Sequence, residues 1–366
     1  MRVAVLTVHQ SISAGGSLQA YALCKVLRDL GHEVEIINYC PYYFMDFTDP
    51  SRRSEWRTPR GFLKKLLNGR RLQKHRGLFD DFAGNYLPPM TKRVNSPEEL
   101  RDITLDYDAY VCGSDQIWNP PHVHYDTTWF LDFVKSGPRL VSYAASIGRD
   151  RLSEKDLGWL KRGASGFDSL SVREDTAVEV LGSLGLDAEQ CVDPTFLLAP
   201  EEWRLLERKP EQEIPKEYLL YYSVECANPV ELPLLNRVKE KTGLPCVVIS
   251  TAFLKPSYAD VQVPLCGPRE LLYLIDHASV VYSNSFHGMV FSIIFGKTLV
   301  SYKNMVSNSR LDSLMRLTGL QSCQVDGEEG YDQVDWQFVA EEFASAYAGM
   351  SEHIERSIRF LKGALA

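Results

Sequence analysis

The sequence predicts an α/β protein made of two Rossmann-like domains, with a central cleft between them and C-terminal helices that pack back across. The chain has 366 residues, a comfortable length for two domains of average size. Short apolar segments alternate with amphipathic helical segments along most of it, as expected for parallel sheets covered by helices. Its hydrophobic residues (45%) and charged residues (24%) match the averages of soluble globular proteins, which excludes disordered, collagen-like and coiled-coil chains.

The first elements form a βαβ unit. The apolar segment from Val3 to Val8 is typical of a buried parallel strand. Gly15-Gly16-Ser17 then provides a flexible loop and a helix N-cap. Apolar residues at helical spacing follow as far as Gly31, which stands where a glycine often ends a helix. A second strand spans Glu33 to Tyr39, so the chain begins a parallel sheet.

The later elements divide the chain into two domains. We expect an N-terminal Rossmann-like domain over residues 1–200, with a basic, largely helical insert at about 41–96, and a C-terminal Rossmann-like domain with terminal helices over residues 201–366. The stretch from Pro200 to Lys216, rich in Pro, Glu and Lys, is the predicted linker. The predicted strands after the insert are 108–112, 140–144, 169–172, 191–195, 218–224, 245–250, 279–282 and 298–302. The predicted helices are 157–162, 230–242, 269–277, 288–295, 309–317, 336–347 and 351–365.

The insert carries a charge opposite to that of the rest of the chain. Between Ser51 and Arg76 there are ten basic residues and one acidic residue, although the net charge of the chain is −8. Apolar and basic residues alternate from Arg60 to Leu67, which favours an amphipathic helix on an anionic membrane surface. We therefore predict peripheral membrane contact through Arg52–Arg76; the alternative is a solvated helix, or one that pairs with the acidic body. The overall acidity argues against nucleic acid as a partner.

Neither a membrane span nor a secretory signal is predicted. The longest uncharged stretch, His277 to Gly296, contains four serines, an asparagine and two histidines, which an apolar span would not tolerate. The 8 cysteines are scattered singly, and no group of side chains has the spacing of metal ligands, so we expect neither disulfides nor a metal. These features predict a cytoplasmic protein, with docking of the insert at the inner face of the plasma membrane.

Polar residues that follow predicted strands are the candidate site residues, because ligands bind at the carboxyl ends of strands in open α/β sheets. Ser283 to Gly288 lies between an apolar strand and an apolar helix. Backbone N–H groups at such a helix start favour an anion, and His287 can exchange a proton there. The alternative for His287 is a helix cap or a turn contact, of equal weight on the sequence alone.

Single basic residues after strands have two interpretations. Arg173 can grip a carboxylate or a phosphate, or it can form a salt bridge with Glu174, Asp175 or another local acid. Lys303 and Arg310 carry the same ambiguity.

The loop from Gly113 to Asn119 combines a flexible turn, a carboxylate, an amide and an indole, a set that suits a sugar. The alternative, slightly favoured on physical grounds, is a turn between strand and helix with Trp118 in the core. Neither a GxGxxG fingerprint nor a Walker loop occurs, so nothing indicates NAD, FAD or ATP.

Seven segments matter together because of their order along the chain. They are Gly16 to Leu23, Gly113 to Pro120, Ser142 to Gly148, Ser171 to Glu174, Val192 to Thr195, Ser283 to Gly288 and Asn308 to Arg310. This ordered set resembles the polysaccharide pyruvyl transferase family. The resemblance covers nearly the whole chain, and the set is far more specific than any one segment.

The resemblance implies a fold similar to that of GT-B glycosyltransferases. It also implies transfer of the enolpyruvyl group of phosphoenolpyruvate onto sugar hydroxyls as a ketal, with phosphate as the by-product and no cofactor. The acceptor would be a sugar or a lipid-linked oligosaccharide in cell-surface polysaccharide biosynthesis. The residues implied as catalytic are His287, as general acid, and Asp115. The residues implied to bind the donor are Arg173, Ser285, Asn284, Lys303 and Arg310. The residues implied for the acceptor and its loops are Gly16, Ser17, Gln19, Ser114, Gln116, Trp118 and Asn119.

One position departs from the family pattern. Many members carry an arginine two residues before the histidine, where this chain has Ser285. One donor anion then lacks a partner unless Lys303 or Arg310 replaces it. Two alternatives therefore stay open: a GT-B glycosyltransferase that uses a nucleotide sugar, and a catalytically silent carbohydrate-binding homologue.

Overall fold

The structure is a computed structural model. It describes residues 1–10, 12–44, 59–224, 231–252, 254–302, 308–321, 324–325, 331 and 336–366, without the side chains of 59–68 and 336–338. The chain divides into two compact units. The first unit comprises Met1–Arg53, Asp80–Leu198 and Glu352–Ala366, and the second comprises Ser54–Phe79 and Ala199–Ser351. Each unit contains a parallel sheet and helices, which confirms the predicted α/β class.

The first unit is built on a parallel sheet. Its strands are β1 (Arg2–Leu6), β2 (Glu33–Ile36), β3 (Ala109–Cys112), β4 (Arg139–Ala145), β5 (Ser169–Val172) and β6 (Glu189–Gln190). They lie in the order β2-β1-β3-β4-β5-β6, and β1 pairs with both β2 and β3. This order brings the loops that follow β3, β4 and β5 to one edge of the sheet.

The second unit repeats this design with five strands. They are β7 (Leu219–Tyr222), β8 (Cys246–Ile249), β9 (Val261–Val263), β10 (Val280–Ser283) and β11 (Thr298–Ser301). They pair in parallel in the order β11-β10-β7-β8-β9. The carboxyl ends of β7, β10 and β11 are therefore neighbours in this sheet.

Helices connect these strands. In chain order they are α1 (Ala14–Asp29), α2 (Pro59–Tyr86), α3 (Pro97–Arg101), α4 (Glu154–Ala164), α5 (Asp175–Ser183), α6 (Pro200–Arg204), α7 (Glu231–Thr242), α8 (Pro268–Asp276), α9 (Phe286–Ile294), α10 (Ser309–Thr318), α11 (Trp336–Gly349) and α12 (Ser351–Ala364). Most of α12 belongs to the first unit, where the Ser357 hydroxyl accepts a hydrogen bond from the N–H of Val192 at 3.0 Å. The chain thus returns to its first unit after completing the second.

The opening βαβ unit is confirmed, but its helix begins earlier than predicted: Gly15-Gly16-Ser17, the predicted loop and N-cap, lie inside α1, which starts at Ala14. Val3 to Leu6 are fully buried in β1. The hydroxyl of Ser13 caps α1 by accepting a hydrogen bond from the N–H of Gly16 at 3.4 Å. Beyond the helix Gly31 has a φ of +90°, a conformation that glycine adopts without strain, so the predicted helix end is confirmed.

The structure differs from the sequence prediction in three places. The predicted strand 191–195 is wrong: a 3₁₀ helix, Pro194–Leu197, follows the two-residue β6. It forms because the Asp193 carboxylate accepts hydrogen bonds from the N–H and the hydroxyl of Thr195. The short strand β9 was not predicted. The predicted linker from Pro200 to Lys216 contains α6, which begins with Pro200 at a position that needs no N–H donor.

Within the basic insert the structure describes α2. Arg52, Arg53 and Arg57 lie outside the described residues, and so do the side chains of 59–68. Arg71 donates a hydrogen bond to the carbonyl of Ala252 at 2.6 Å, so this basic side chain is bound within the second unit. Among the described helices, none combines the length and the apolar character needed to cross a membrane. Peripheral contact through Arg52–Arg76 stays a prediction.

Candidate functional site

A cluster of three charged residues lies at the carboxyl edge of the first sheet. We call Arg173, Glu174 and Asp193 the first cluster. Arg173 follows β5 directly, and its guanidinium donates to Asp193 Oδ2 at 2.7 Å and to Glu174 Oε1 at 3.3 Å. All three side chains are buried. The salt-bridge interpretation of Arg173 is therefore realised, with Asp193 as a second partner.

Hydroxyl and backbone donors surround both carboxylates of the first cluster. Glu174 Oε1 accepts from the hydroxyl of Ser146 at 2.5 Å, and Oε2 accepts from the N–H of Ile147 at 3.2 Å. Asp193 Oδ1 accepts from the N–H and the hydroxyl of Thr195 at 3.0 and 2.7 Å. The cluster thus ties the loops after β4 and β5 to the 3₁₀ helix.

Opposing effects act on the Arg173 guanidinium. Burial alone would lower its pKa, but the carboxylates of Glu174, Asp193 and Asp115 raise this pKa above the ordinary value. Arg173 is therefore charged at every accessible pH. Because two carboxylates already contact it, an incoming anion has to compete with them.

Asp115 stands beside the first cluster in an unusual backbone conformation. Its φ is +79°, in the left-handed region that few residues other than glycine adopt. Its carbonyl accepts hydrogen bonds from the N–H groups of Ile117 and Ser146, and its Oδ1 accepts one from the N–H of Gln116 at 2.8 Å. These contacts hold a half-buried carboxylate at the edge of the sheet. Asp tolerates this backbone region better than most residues, and the assignment of Asp115 as catalytic stays a prediction.

Most of the predicted acceptor and loop residues are buried inside the first unit. Trp118 is 0% exposed: its indole N–H donates to the carbonyl of Trp129 and its ring packs against Phe130. Stacking on a sugar is excluded for a ring without exposed surface. Gln19 is also fully buried, and its amide N–H group lies within 3.0 Å of three oxygen atoms of the protein. The buried set is Gly16, Ser17, Gln19, Ser114, Trp118 and Asn119, whereas Gln116 is half-buried.

The second unit presents a neutral polar turn between β10 and α9. The hydroxyl of Ser285 caps α9 by accepting from the N–H of Gly288 at 3.3 Å. The hydroxyl of Ser283 accepts from the N–H of Ser285 at 3.0 Å, and the side-chain oxygen of Asn284 accepts from the N–H of Val224 at 3.0 Å. Asn284 and Ser285 thus shape the turn that starts the helix.

His287 lies in the first turn of α9. It is 8% exposed, and its ring meets that of Phe286 edge to face at 5.3 Å. Gly288 allows α9 to start close to Ser283 of β10, because a Cβ at that position would come within 2.5 Å of the Ser283 hydroxyl oxygen. The helix start therefore lies tightly against β10, with an imidazole where the helix dipole favours negative charge.

Of the two predicted cations, Arg310 and Lys303, the structure describes Arg310. Arg310 is the second residue of α10 and is half-buried. Lys303 lies outside the described residues. The described cation, Arg310, therefore follows β11, the neighbour of β10 in the sheet.

A second group of charged residues was not predicted from the sequence. We call Arg204, Glu207 and Asp276 the second cluster. Arg204 contacts both oxygens of Asp276 at 2.8 and 3.2 Å. Burial and the charge of Asp276 raise the pKa of Glu207 to about 7. Glu207, Asp276 and His277 could together hold a metal ion, but Arg204 and Lys297 already balance the charge of Asp276.

Comparison with known proteins gives a family and a fold. The model of a family described as polysaccharide pyruvyl transferase matches residues 14–304. A search of curated proteins finds no match.

Several solved structures are similar over almost the whole chain. UDP-GlcNAc 2-epimerase from Neisseria meningitidis, bound to UDP-GlcNAc, is 11% identical, with 97% of this chain and 100% of that chain covered and a TM-score of 0.54. UDP-N-acetylglucosamine 2-epimerase from Rickettsia bellii is 10% identical, with 99% and 95% covered and a TM-score of 0.51. Os79 from O. sativa, in complex with UDP, is 11% identical, with 98% and 100% covered and a TM-score of 0.50. These likenesses show the fold alone, and they confirm a Rossmann-like architecture similar to that of GT-B glycosyltransferases.

Proposed function

Because the chain belongs to the polysaccharide pyruvyl transferase family, we propose that it transfers the enolpyruvyl group of phosphoenolpyruvate onto sugar hydroxyls as a pyruvate ketal in cell-surface polysaccharide biosynthesis. The observation that carries this proposal is the family match over residues 14–304, which includes the turn that presents His287. The acceptor is a sugar or a lipid-linked oligosaccharide, and no cofactor takes part.

The reaction needs one proton donor and two hydroxyl nucleophiles. Protonation of the vinyl CH2 makes it a methyl group and leaves an oxocarbenium-like centre at C2. One sugar hydroxyl adds to C2, and a second displaces phosphate to close the ketal. One hydroxyl proton replaces the proton used at the methyl group, and the other leaves with phosphate, so atoms and charges balance.

His287 is the general acid in this scheme. It is buried at a helix N-terminus, where the dipole and the backbone N–H groups favour the donor's phosphate or carboxylate. Asn284 and Ser285 line the same turn, and Arg310 and Lys303 supply the cations that Ser285 does not. Asp115, a half-buried carboxylate, accepts a proton from an attacking hydroxyl.

For Arg173 we propose a positioning role in place of the donor contact that the resemblance implies. Two buried carboxylates already contact its guanidinium, which makes it a positioning residue for Glu174 and the neighbouring loops. A direct grip on the donor is the alternative. Calorimetric titration of phosphoenolpyruvate into Arg173→Lys, checked to be folded, separates the two: a positioning role leaves some donor affinity, whereas a lost grip abolishes it.

The central test is phosphate release from phosphoenolpyruvate in the presence of acceptor saccharides. His287→Gln keeps a polar side chain of similar size but cannot transfer the proton, so we expect kcat to fall about 10²- to 10⁴-fold. His277→Gln is the matched control, because this histidine caps α8 in the same unit and is exposed. An unchanged kcat for His287→Gln would contradict the assignment.

The same assay decides between the proposal and its alternatives. Tight binding of UDP or GDP without phosphate release from phosphoenolpyruvate would indicate a glycosyltransferase. Saccharide binding without either donor would indicate a catalytically silent homologue, which Ser285 makes credible.

A further inference from the structure

An open pocket lies in the first unit, apart from every residue discussed so far. Its volume is about 560 Å³, within the range of small-molecule sites. The residues that line it are Gln10, Asp80, Ala83, Gly84, Leu87, Pro88, Pro89 and Met90. From its position, polarity and charge we infer that this pocket binds one saccharide ring of the acceptor.

The pocket lies at the ligand-binding edge of the sheet. Gln10 comes shortly after β1, so it stands at the carboxyl end of a central strand. Met90 forms a bridge with Ile36, the last residue of β2. Ligands bind at this edge in open α/β sheets, and the loop of Asp115 follows β3, the other neighbour of β1. The pocket is thus on the correct side of the sheet for a substrate.

The amide of Gln10 forms weak hydrogen bonds with two sulfur atoms. Its Nε2 donates to Met90 Sδ at 3.7 Å, and its Oε1 accepts from Cys40 Sγ at 3.4 Å. Sulfur is a weak donor and a weak acceptor, so both contacts are poor for an amide. A ligand hydroxyl can donate to Oε1 and accept from Nε2, which makes the exchange favourable.

The charge of the pocket selects against the donor substrate. Asp80 is exposed at its rim, and the described lining residues include no Lys, Arg or His. The described lining residues therefore offer no cation to the phosphate and the carboxylate of phosphoenolpyruvate. A carboxylate and an amide together suit a neutral ligand with several hydroxyls.

The rest of the lining suits the C–H face of a ring. Leu87, Pro88, Pro89 and Met90 supply the apolar part of the lining. A pyranose presents hydroxyls at its edge and C–H groups on its faces, so it matches both kinds of surface. The residues implied for the acceptor by the family resemblance are mostly buried, whereas this pocket is open.

The identity of the ligand as acceptor rests on the proposed function, but binding can be tested without it. Saturation-transfer NMR with methyl glycosides of glucose, galactose, mannose and N-acetylglucosamine reports saccharide binding to the full chain directly. Gln10→Met retains the length of the side chain and removes the amide. Asp80→Ala removes the carboxylate, and Asp81→Ala is its matched control because Asp81 is exposed, hydrogen-bonds Asn85 and does not line the pocket.

We expect at least one glycoside to bind, with affinity reduced about tenfold or more in Gln10→Met and Asp80→Ala and unchanged in Asp81→Ala. Phosphoenolpyruvate affinity, measured by calorimetry, should be the same in all four proteins. The proposal that this pocket binds a saccharide would be overturned if no glycoside bound to the wild type, or if neither variant weakened the binding. If the variants weaken glycoside binding but the protein does not bind phosphoenolpyruvate, the pocket is a saccharide site and the proposed function is wrong.

Discussion

Each unit holds one arginine with two carboxylates, yet the first and second clusters behave differently. Arg173 is 4% exposed and contacts the buried carboxylates of Glu174 and Asp193, whereas Arg204 is 43% exposed and contacts Asp276 and the exposed carboxylate of Glu201. In the first cluster, hydroxyl and backbone N–H groups also donate to the carboxylates. In the second, burial and then the neighbouring charge of Asp276 raise the pKa of Glu207 to about 7.

The two clusters contain the same types of residue but differ in the hydrogen-bond donors that surround their carboxylates. These donors, rather than the residue types, determine whether a carboxylate stays charged or takes up a proton near neutral pH. The first cluster is a closed network that holds the loops next to Asp115. Its charges are buried, so its integrity depends on every partner being present. The second cluster is partly solvated, and its charge changes near neutral pH.

The largest effect is expected for Arg173→Ala. This change leaves the buried carboxylates of Glu174 and Asp193 without their cation, so we expect the free energy of unfolding to fall by about 3–5 kcal/mol. Urea unfolding measures it. Arg204→Ala is the matched control, because the same change at a half-exposed arginine should cost about 1 kcal/mol or less. Equal losses in the two variants would show that burial does not distinguish the clusters.

An intermediate effect is expected for Ser146→Ala. The Ser146 hydroxyl donates to Glu174 Oε1 at 2.5 Å, and hydrogen bonds to charged groups contribute about 1.5–3 kcal/mol. We expect the free energy of unfolding to fall by that amount, measured in the same urea titration. In the control Ser165→Ala, an exposed hydroxyl that donates to the carbonyl of Lys161 is removed, and stability should hardly change. Indistinguishable stabilities would mean that the first cluster does not need this donor.

Local patterns predicted much of the fold from the sequence, whereas contacts between distant segments were beyond it. The apolar run after Val3 and the glycine at position 31 gave the first βαβ unit because both signals are local. The 3₁₀ helix after Asp193 is an exception, because the contacts that form it span only two residues and the sequence pattern still predicted a strand there. Trp118 could belong to a sugar site or to the core, and only packing against Phe130 decided for the core.

The candidate sites also show that contacts between distant segments could not be predicted from the sequence. His287 was predicted because its strand, turn and helix are contiguous in sequence. The second cluster joins Arg204 to Asp276, and the pocket joins Gln10 to Met90. Spacing along the chain carries no signal for side chains that only the folded sheets bring together.

The smallest effect on stability at neutral pH is expected for Glu207→Gln, and this variant tests the pH dependence of the second cluster. The folded protein binds the Glu207 proton up to a pH of about 7, whereas the unfolded chain loses it near the ordinary pKa of 4.5. The stability contributed by this proton is therefore fully present below pH 4.5 and is lost as the pH rises to about 7. The melting temperature of the wild type should fall across this window, and that of Glu207→Gln should fall less. The Nδ1 atom of His277 lies 3.7 Å from Glu207 Oε2, so His277→Gln is the necessary control. A pH dependence abolished by His277→Gln and retained in Glu207→Gln would assign the titration to the histidine and remove the contrast between the two clusters.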